Sequence, residues 1–313
     1  MPSIHPQMQA VLEKSIDLVP TYSITEISLS QYRKNYAEER KFWNQGGPEI
    51  SIVIQSEILG PVGQIPIRIF HPNPENRLPV LLYLHGGGFV VGNLNTHDRI
   101  MRELSFRSGC VVVGVEYSLS PEQKFPVALE EISLVLKWLK NNPSVNKKSG
   151  FYFDPDRIVI GGDSAGANLS MGTALNMKKS FSGLLLIYGW YGLQDSCSSR
   201  LFANSEVGMS SEDLKFFTQS YIRTREDLSD PRINLLSSDL KGFPPSCIIV
   251  SDLDPLLDDS RTLAFLMVEN GITCEMNLHR GVFHGFLHYS RMLDAAVNGL
   301  KQCSDFLTRV LKN

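Results

Sequence analysis

The sequence predicts an α/β protein, a mainly parallel eight-stranded sheet flanked by helices. Three observations predict it. Short strand-like runs alternate with longer helical stretches along most of the 313 residues, as a sheet covered on both faces by right-handed crossovers requires. Several runs, such as Val80-Leu81-Leu82-Tyr83-Leu84, are apolar nearly throughout and read as buried strands. The glycine-rich motifs fall at the C-terminal ends of such runs, where open α/β sheets place their sites.

In chain order, the strand-like runs are 51–55, 65–71, 79–84, 111–115, 157–160, 184–188, 247–250 and 273–279. Between the later ones lie helical stretches at 96–108, 126–141, 165–178, 258–270 and 287–311. The last strand, Thr273-Cys274-Glu275-Met276-Asn277-Leu278, alternates in polarity and suits a sheet edge. Two segments interrupt the pattern. Residues 1–45 are helix-like, with Met8, Val11, Leu12, Ile16 and Leu18 on a mostly polar background. Residues 195–234 separate two strands and include Glu212-Asp213-Leu214-Lys215-Phe216-Phe217. Both are expected to build one helical cap over a main domain made of 46–194 and 235–313. Trp43, Trp190, Tyr191, Phe202, Phe216 and Tyr221 are candidates to line a pocket there, although taken singly each is more simply glue between cap and sheet.

Composition excludes several function classes. A hydrophobic fraction of 42% with 20% charged residues is ordinary for a globular chain, and a net charge of −3 gives no electrostatic case for nucleic acid or anionic membrane. No run approaches the roughly 18 apolar residues of a membrane helix, and Met1-Pro2-Ser3-Ile4-His5-Pro6 lacks the basic-then-apolar layout of a signal peptide. Cys110, Cys197, Cys247, Cys274 and Cys303 show no paired spacing, so a reducing, cytoplasmic compartment is expected. Neither a Cys/His metal spacing nor a Gly-x-Gly-x-x-Gly is present, so no metal or nucleotide cofactor is expected.

The chemistry sits in four short stretches. Gly162-Asp163-Ser164-Ala165-Gly166 follows the strand Arg157-Ile158-Val159-Ile160 and precedes a helix. A serine on so sharp a turn needs glycine at both flanking positions, because a Cβ there would strike strand or helix. The helix that starts beside it offers unpaired N–H groups and a positive dipole end to any negative charge formed there. Chance alone supplies this pattern about 0.1 times in a chain of this length at average composition. His85-Gly86-Gly87-Gly88, directly after another buried strand, is expected by chance only about 0.002 times. Its glycines leave backbone N–H groups open to a substrate oxygen, and each such donor lowers an acyl-transfer barrier by roughly 3–4 kcal/mol.

A serine hydroxyl needs a base, and the base an orienting acid. Where the serine sits on such an elbow, acid and then histidine follow it in the chain. Of the histidines beyond Ser164, His279 closes the edge strand and His288 starts the last helix. His284 lies between them in the glycine-flanked loop Gly281-Val282-Phe283-His284-Gly285-Phe286, from which it can leave the sheet edge and reach the serine. Asp252, Asp254, Asp258 and Asp259 compete as the acid after the strand Cys247-Ile248-Ile249-Val250. Asp258 and Asp259 suit the first helical turn, and Asp252 suits a loop brace. Asp254 precedes a proline that holds it extended, which favours it over Asp252.

These motifs, with Asp254-Pro255-Leu256 and His284-Gly285-Phe286, resemble the hormone-sensitive-lipase branch of the α/β-hydrolases. Glu116-Tyr117-Ser118-Leu119-Ser120-Pro121-Glu122 is similar to that branch's Asp-Tyr-Arg-Leu-Ala-Pro-Glu loop, departing at three positions. A narrower likeness to the enterobacterial acetyl esterases rests on Gly92-Asn93-Leu94 with Thr96-His97-Asp98-Arg99-Ile100-Met101-Arg102, on Tyr191-Gly192-Leu193, on Asp254 through Arg261, and on Phe286-Leu287-His288-Tyr289-Ser290-Arg291-Met292. The resemblance runs from about residue 78 to the C-terminus. It implies an α/β-hydrolase fold with a helical cap, a triad of Ser164, Asp254 and His284, and oxyanion donors on Gly86, Gly87 and Ala165. His85, Gly88, Gly162, Asp163 and Gly166 would support these motifs without chemistry of their own. It further implies hydrolysis of short-chain, acetyl-type esters and, for the acetyl esterases alone, binding to a maltose-regulon transcriptional activator. A homo-oligomer is compatible with all of this. A lipase would need an apolar lid where the cap here is charged, and an oligopeptidase of this fold brings a further large domain.

Overall fold

Residues 3–19, 24, 26–142, 152–204 and 208–312 are described by a computed structural model. The eight predicted runs become strands β1 (Ile52–Leu59), β2 (Gln64–His71), β3 (Leu78–Leu84), β4 (Val111–Val115), β5 (Phe153–Asp163), β6 (Gly183–Ile187), β7 (Ser246–Leu253) and β8 (Cys274–Phe283). They form one sheet in the order β1-β2-β4-β3-β5-β6-β7-β8. Only the β1–β2 and β2–β4 pairings are antiparallel; every later pairing is parallel.

The strand period of two divides the core. Val80, Leu82 and Leu84 of β3 face one apolar layer, while Leu81 and Tyr83 face the other. The first layer is closed by helices α4 (Val127–Asn141), α5 (Ala165–Leu175) and α8 (Leu257–Glu269), and the second by α3 (Asp98–Ser108) and α9 (Asp294–Val310). Covering on both faces explains why β4, β6 and β7 are buried at every position. Helix α5 is buried at all but its last residue, and its small residues permit that. A Cβ on Gly166 would lie 1.9 Å from the Leu84 carbonyl oxygen.

Several boundaries differ from the sequence expectation, β5 among them, which starts at Phe153 instead of Arg157. The last helix does not run unbroken over 287–311: a 3-10 turn at Phe286–Tyr289 comes first, and α9 starts at Asp294. The apolar period continues across the break, so it hides the turn. Helix α5 stops at Leu175, before a separate turn at Lys178–Ser180. Strand β8 continues beyond His279 to Phe283, through a register irregularity against Ser251 and Leu253 of β7. Gly281 takes a positive φ of 69° there.

The N-terminal segment forms α1 (Pro6–Leu18) and α2 (Leu29–Asn44), and the 195–234 segment forms α6 (Cys197–Phe202), α7 (Ser211–Tyr221) and a 3-10 turn at Arg225–Ser229. Residues 20–23, 25 and 205–207 of these segments lie outside the described residues. Helix α1 buries Met8 and Val11 in the layer that also holds α9, and α2 reaches α7 through a Tyr32–Phe217 ring contact at 6.4 Å. No helix among the described residues is long and apolar enough to cross a membrane.

Candidate active site

Strand β5 delivers Ser164 on a bend that few residues adopt, with φ 54° and ψ −117°. The bend is held because β5, β3 and α5 meet with no room to spare. A Cβ on Gly162 would sit 2.1 Å from the Leu84 carbonyl oxygen, so glycine on both flanks is a steric requirement. The Ser164 N–H bonds to the Ile187 carbonyl at 2.8 Å, which leaves the side chain projecting from the end of the sheet.

His284 follows the last residue of β8. Its Nε2 lies 2.8 Å from Ser164 Oγ, and its Nδ1 lies 2.9 Å from Asp254 Oδ2. Asp254 is 1% exposed. It accepts further bonds from Ser251 Oγ at 2.9 Å and the Leu256 N–H at 2.8 Å, so its carboxylate is fixed before the imidazole meets it. The Tyr188 ring meets His284 edge-on at 4.9 Å. Asp252 instead accepts the Gly281 N–H at 2.6 Å and braces the β8 irregularity. The other two histidines lie elsewhere: His279 pairs with Gln302 at 2.8 Å, and His288 is buried with its Nε2 3.9 Å from Asp163.

The glycine loop departs from expectation at one position. The Gly86 N–H donates to Asp163 Oδ1 at 2.9 Å and also lies 3.3 Å from His97 Nε2, so it is not free to meet a substrate oxygen. Gly87, Gly88 and Ala165 show no backbone N–H bond to a protein group among the described residues. The free donors are therefore shifted one residue along the loop from Gly86 and Gly87. Gly88, Ser164 and Ala165 line a common cavity of about 450 Å³. Gly87 and Gly88 have positive φ of 123° and 58°, and a Cβ on Gly88 would lie 2.3 Å from the Phe217 ring.

His85 is buried, stacked on Tyr117 with ring centroids 4.4 Å apart, and bonded through Nδ1 to the Gly86 carbonyl at 2.8 Å. Burial, seconded by His97, pushes its pKa down to about 3. It is therefore neutral, and it does not line the cavity.

The rest of the cavity wall comes mainly from α7, the Arg225–Ser229 turn, the 190–199 segment and Pro255, Leu256 and Asp259. Of the six aromatic candidates, Trp190 lines it; Trp43 instead packs in the core at 4.8 Å from Tyr289, and Tyr221 stacks on Phe89 at 3.8 Å. Phe217, not singled out in the sequence, also lines it. Asp259 was expected to serve only the helix dipole. It is 2% exposed and accepts the Tyr191 and Leu193 N–H groups at 2.7 and 3.1 Å. Burial pushes its carboxyl up to about 7, against those backbone donors.

His97, Asp163 and His288 bring possible ligand atoms within 4.8 Å of one another. The sequence shows no metal spacing here because the three residues come from separate segments. Asp163 accepts protein hydrogen bonds from Tyr83 and Gly86 on Oδ1, and His97 Nε2 lies 3.3 Å from its Oδ2.

Comparison with known proteins places this geometry in context. Residues 81–288 match the family model of the alpha/beta hydrolase fold. Among similar solved structures is a hyperthermophilic esterase from the archaeon Pyrobaculum calidifontis, 29% identical over 99% of both chains, with a TM-score of 0.90. EstE1, a thermostable carboxylesterase from a metagenomic library, is 30% identical over 93% of this chain and 100% of its own, with a TM-score of 0.88. A fungal esterase from Rhizomucor miehei is 28% identical over 100% of this chain and 99% of its own, with a TM-score of 0.90.

Proposed function

The chain belongs to the α/β-hydrolase family, in its hormone-sensitive-lipase branch, and from that premise we propose that it is a cytoplasmic carboxylesterase acting on short-chain, acetyl-type esters. The observation that carries the proposal is His284 bridging Ser164 and Asp254 at 2.8 and 2.9 Å. In this reading Ser164 Oγ attacks the ester carbonyl while His284 Nε2 takes its proton. Asp254 holds the Nδ1–H tautomer and stabilises the imidazolium. The developing oxyanion is met by the N–H groups of Gly87, Gly88 and Ala165. His284 then protonates the departing alcohol, and water repeats the cycle on the acyl-enzyme.

Helix α7, the Arg225–Ser229 turn and α2 act as the cap, whose Phe217 packs against Gly88 at the cavity. Support for a small substrate comes from the cavity of about 450 Å³, in the lower part of the range for ligand sites. Five unpaired cysteines support a reducing compartment.

The test is a p-nitrophenyl ester series from acetyl to dodecanoyl, run on the wild type and on Ser164→Ala. We expect kcat/KM to be greatest at acetyl to butyryl and the variant to lose turnover by orders of magnitude. A maximum at decanoyl or beyond would reject the short-chain assignment, and near-normal turnover by Ser164→Ala would reject the mechanism.

A further inference from the structure

The 195–234 segment carries five cations: Arg200, Lys215, Arg223, Arg225 and Arg232. Three of them are matched by acids of the same segment. Arg200 pairs with Asp195, Arg223 with Asp227 at 2.7 Å and Arg232 with Asp230 at 2.7 Å. None of these three lines the active-site cavity; Lys215 and Arg225 both do. Among the described residues, neither Lys215 nor Arg225 has an ion-pair partner within 4.0 Å. Asp213, two residues before Lys215, is bound to Ser210 in its own helix cap. Glu226, next to Arg225, takes its side-chain hydrogen bond from Thr224, and it does not line the cavity.

Helix α7 puts Lys215 on the wall by its period. Ser211, Leu214, Lys215 and Thr218 follow one another at three- and four-residue spacing and share the face toward the cavity. Such a face is ordinarily apolar, and here it is mostly polar. Arg225 opens the 3-10 turn that follows. Both cations keep exposure to solvent, so they stand where the cavity opens. Half-buried Ser199 on the same wall adds a hydroxyl with no protein partner among the described residues. The one carboxyl on the wall is that of Asp259, which is 2% exposed and already accepts the Tyr191 and Leu193 N–H groups. Burial holds it near neutrality, at about 7, so it does little to offset the two cations.

A guanidinium and an ammonium beside a ligand cavity attract carboxylate and phosphate oxygens, and a cleft of one sign concentrates ligands of the other. A purely apolar ester gains nothing from them, and a cationic ester is repelled. Building on the esterase reading above, we propose that the substrate carries a carboxylate or phosphate on its alcohol half, held by Lys215 and Arg225 at the cavity mouth. The alcohol half is indicated because a short acyl group leaves no room for a second functional group. The two cations lie outside the triad and move no proton. They contribute to substrate binding, so their loss is expected mainly in KM.

The experiment measures kcat/KM for two anionic acetyl esters, 4-acetoxybenzoate and 4-acetoxyphenyl phosphate, against neutral methyl 4-acetoxybenzoate. Wild type should prefer the anionic esters, and the larger of the two ratios identifies the group that is held. Lys215→Gln and Arg225→Gln should each lower the anionic-to-neutral ratio about 3- to 5-fold, and the double variant roughly tenfold or more. About 0.5 M sodium chloride should erase most of the wild-type preference. Circular dichroism and thermal melting establish that each variant is folded. A wild-type ratio near one, or a ratio that both substitutions leave unchanged, would overturn the proposal. So would a preference confined to an acyl-side anion, read from p-nitrophenyl hemisuccinate against p-nitrophenyl butyrate. The esterase reading is tested separately: if wild type hydrolyses none of these esters, or Ser164→Ala still does, that reading itself fails. Equal, Ser164-dependent hydrolysis of the anionic and neutral acetyl esters would leave it standing and sink only the anion site.

Discussion

Asp252 and Asp254 stand two residues apart at the end of β7 and hold different partners: Asp252 accepts the Gly281 N–H at 2.6 Å, and Asp254 accepts His284 Nδ1 at 2.9 Å. The first bond shapes the strand that carries His284, and the second orients the imidazole itself. Asp254→Asn should therefore lower kcat on the order of 10⁴-fold by favouring the wrong tautomer, with little change in melting temperature. Asp252→Asn keeps an oxygen for Gly281 and should leave kcat within a small factor. Steady-state kinetics on both variants decides the matter, and the opposite ranking would move the acid's role to Asp252.

Asp259 predicts a pH dependence of stability. Its carboxyl is raised by burial from 3.8 to about 7, so between those values the folded state holds a proton that the unfolded chain has released. Its contribution to stability is fully present below about pH 4 and is lost as pH rises toward 7. Asp259→Asn can keep an acceptor for Tyr191 and Leu193 while removing the titration. The melting temperature of the variant minus that of the wild type should therefore increase from pH 5 to pH 8. A difference that is flat or falls with pH would show that this carboxyl does not titrate in that window.

Phe217 predicts the acyl-length limit. Its ring packs where a Gly88 side chain would stand, and it lines the cavity beside Leu214 and Thr218. Phe217→Ala removes that wall without touching Ser164, His284 or Asp254. In a p-nitrophenyl series the ratio of octanoyl to butyryl kcat/KM should rise by about tenfold or more, given 1–3 kcal/mol for each added methylene that a pocket accepts or rejects. An unchanged ratio would place the limit elsewhere in the wall.

Much of this molecule is legible in its sequence because the signals are local. Central strands are apolar on both faces, and the edge strand β1 alternates between half-buried and exposed positions, so eight runs announce eight strands in order. The elbow is equally local, since Gly162 and Gly166 are excluded from bearing a Cβ by the strand next door. What escaped depends on partners distant in the chain. The Gly86 N–H looks as open as that of Gly87 until Asp163, 77 residues later, is brought against it. Asp259 looks like any acid in a first helical turn until the 191–193 backbone closes over it. The break before α9 escaped because apolar spacing continues through the turn, while the approach of His288 in that turn to Asp163 is tertiary.

Arg33 predicts how far the N-terminal segment supports the site. Its guanidinium pairs with both oxygens of Glu122 at 2.7 Å, but it also donates to the carbonyls of Val90 at 2.8 Å and Ser120 at 3.0 Å. The ion pair is half open to solvent, with side-chain exposures of 29% and 56%, and such pairs contribute about 0–1 kcal/mol. The two carbonyl bonds are more sheltered and charge-assisted, and bonds of that kind contribute about 1.5–3 kcal/mol. They also tie α2 to the loop whose Val90 N–H closes back on the Gly87 carbonyl at 3.0 Å. Glu122→Gln should therefore be nearly neutral in urea unfolding, while Arg33→Ala should be clearly destabilising and should lower kcat as the glycine loop loosens. Equal losses in the two variants would mean that the ion pair, not the grip on the loop, is what Arg33 contributes.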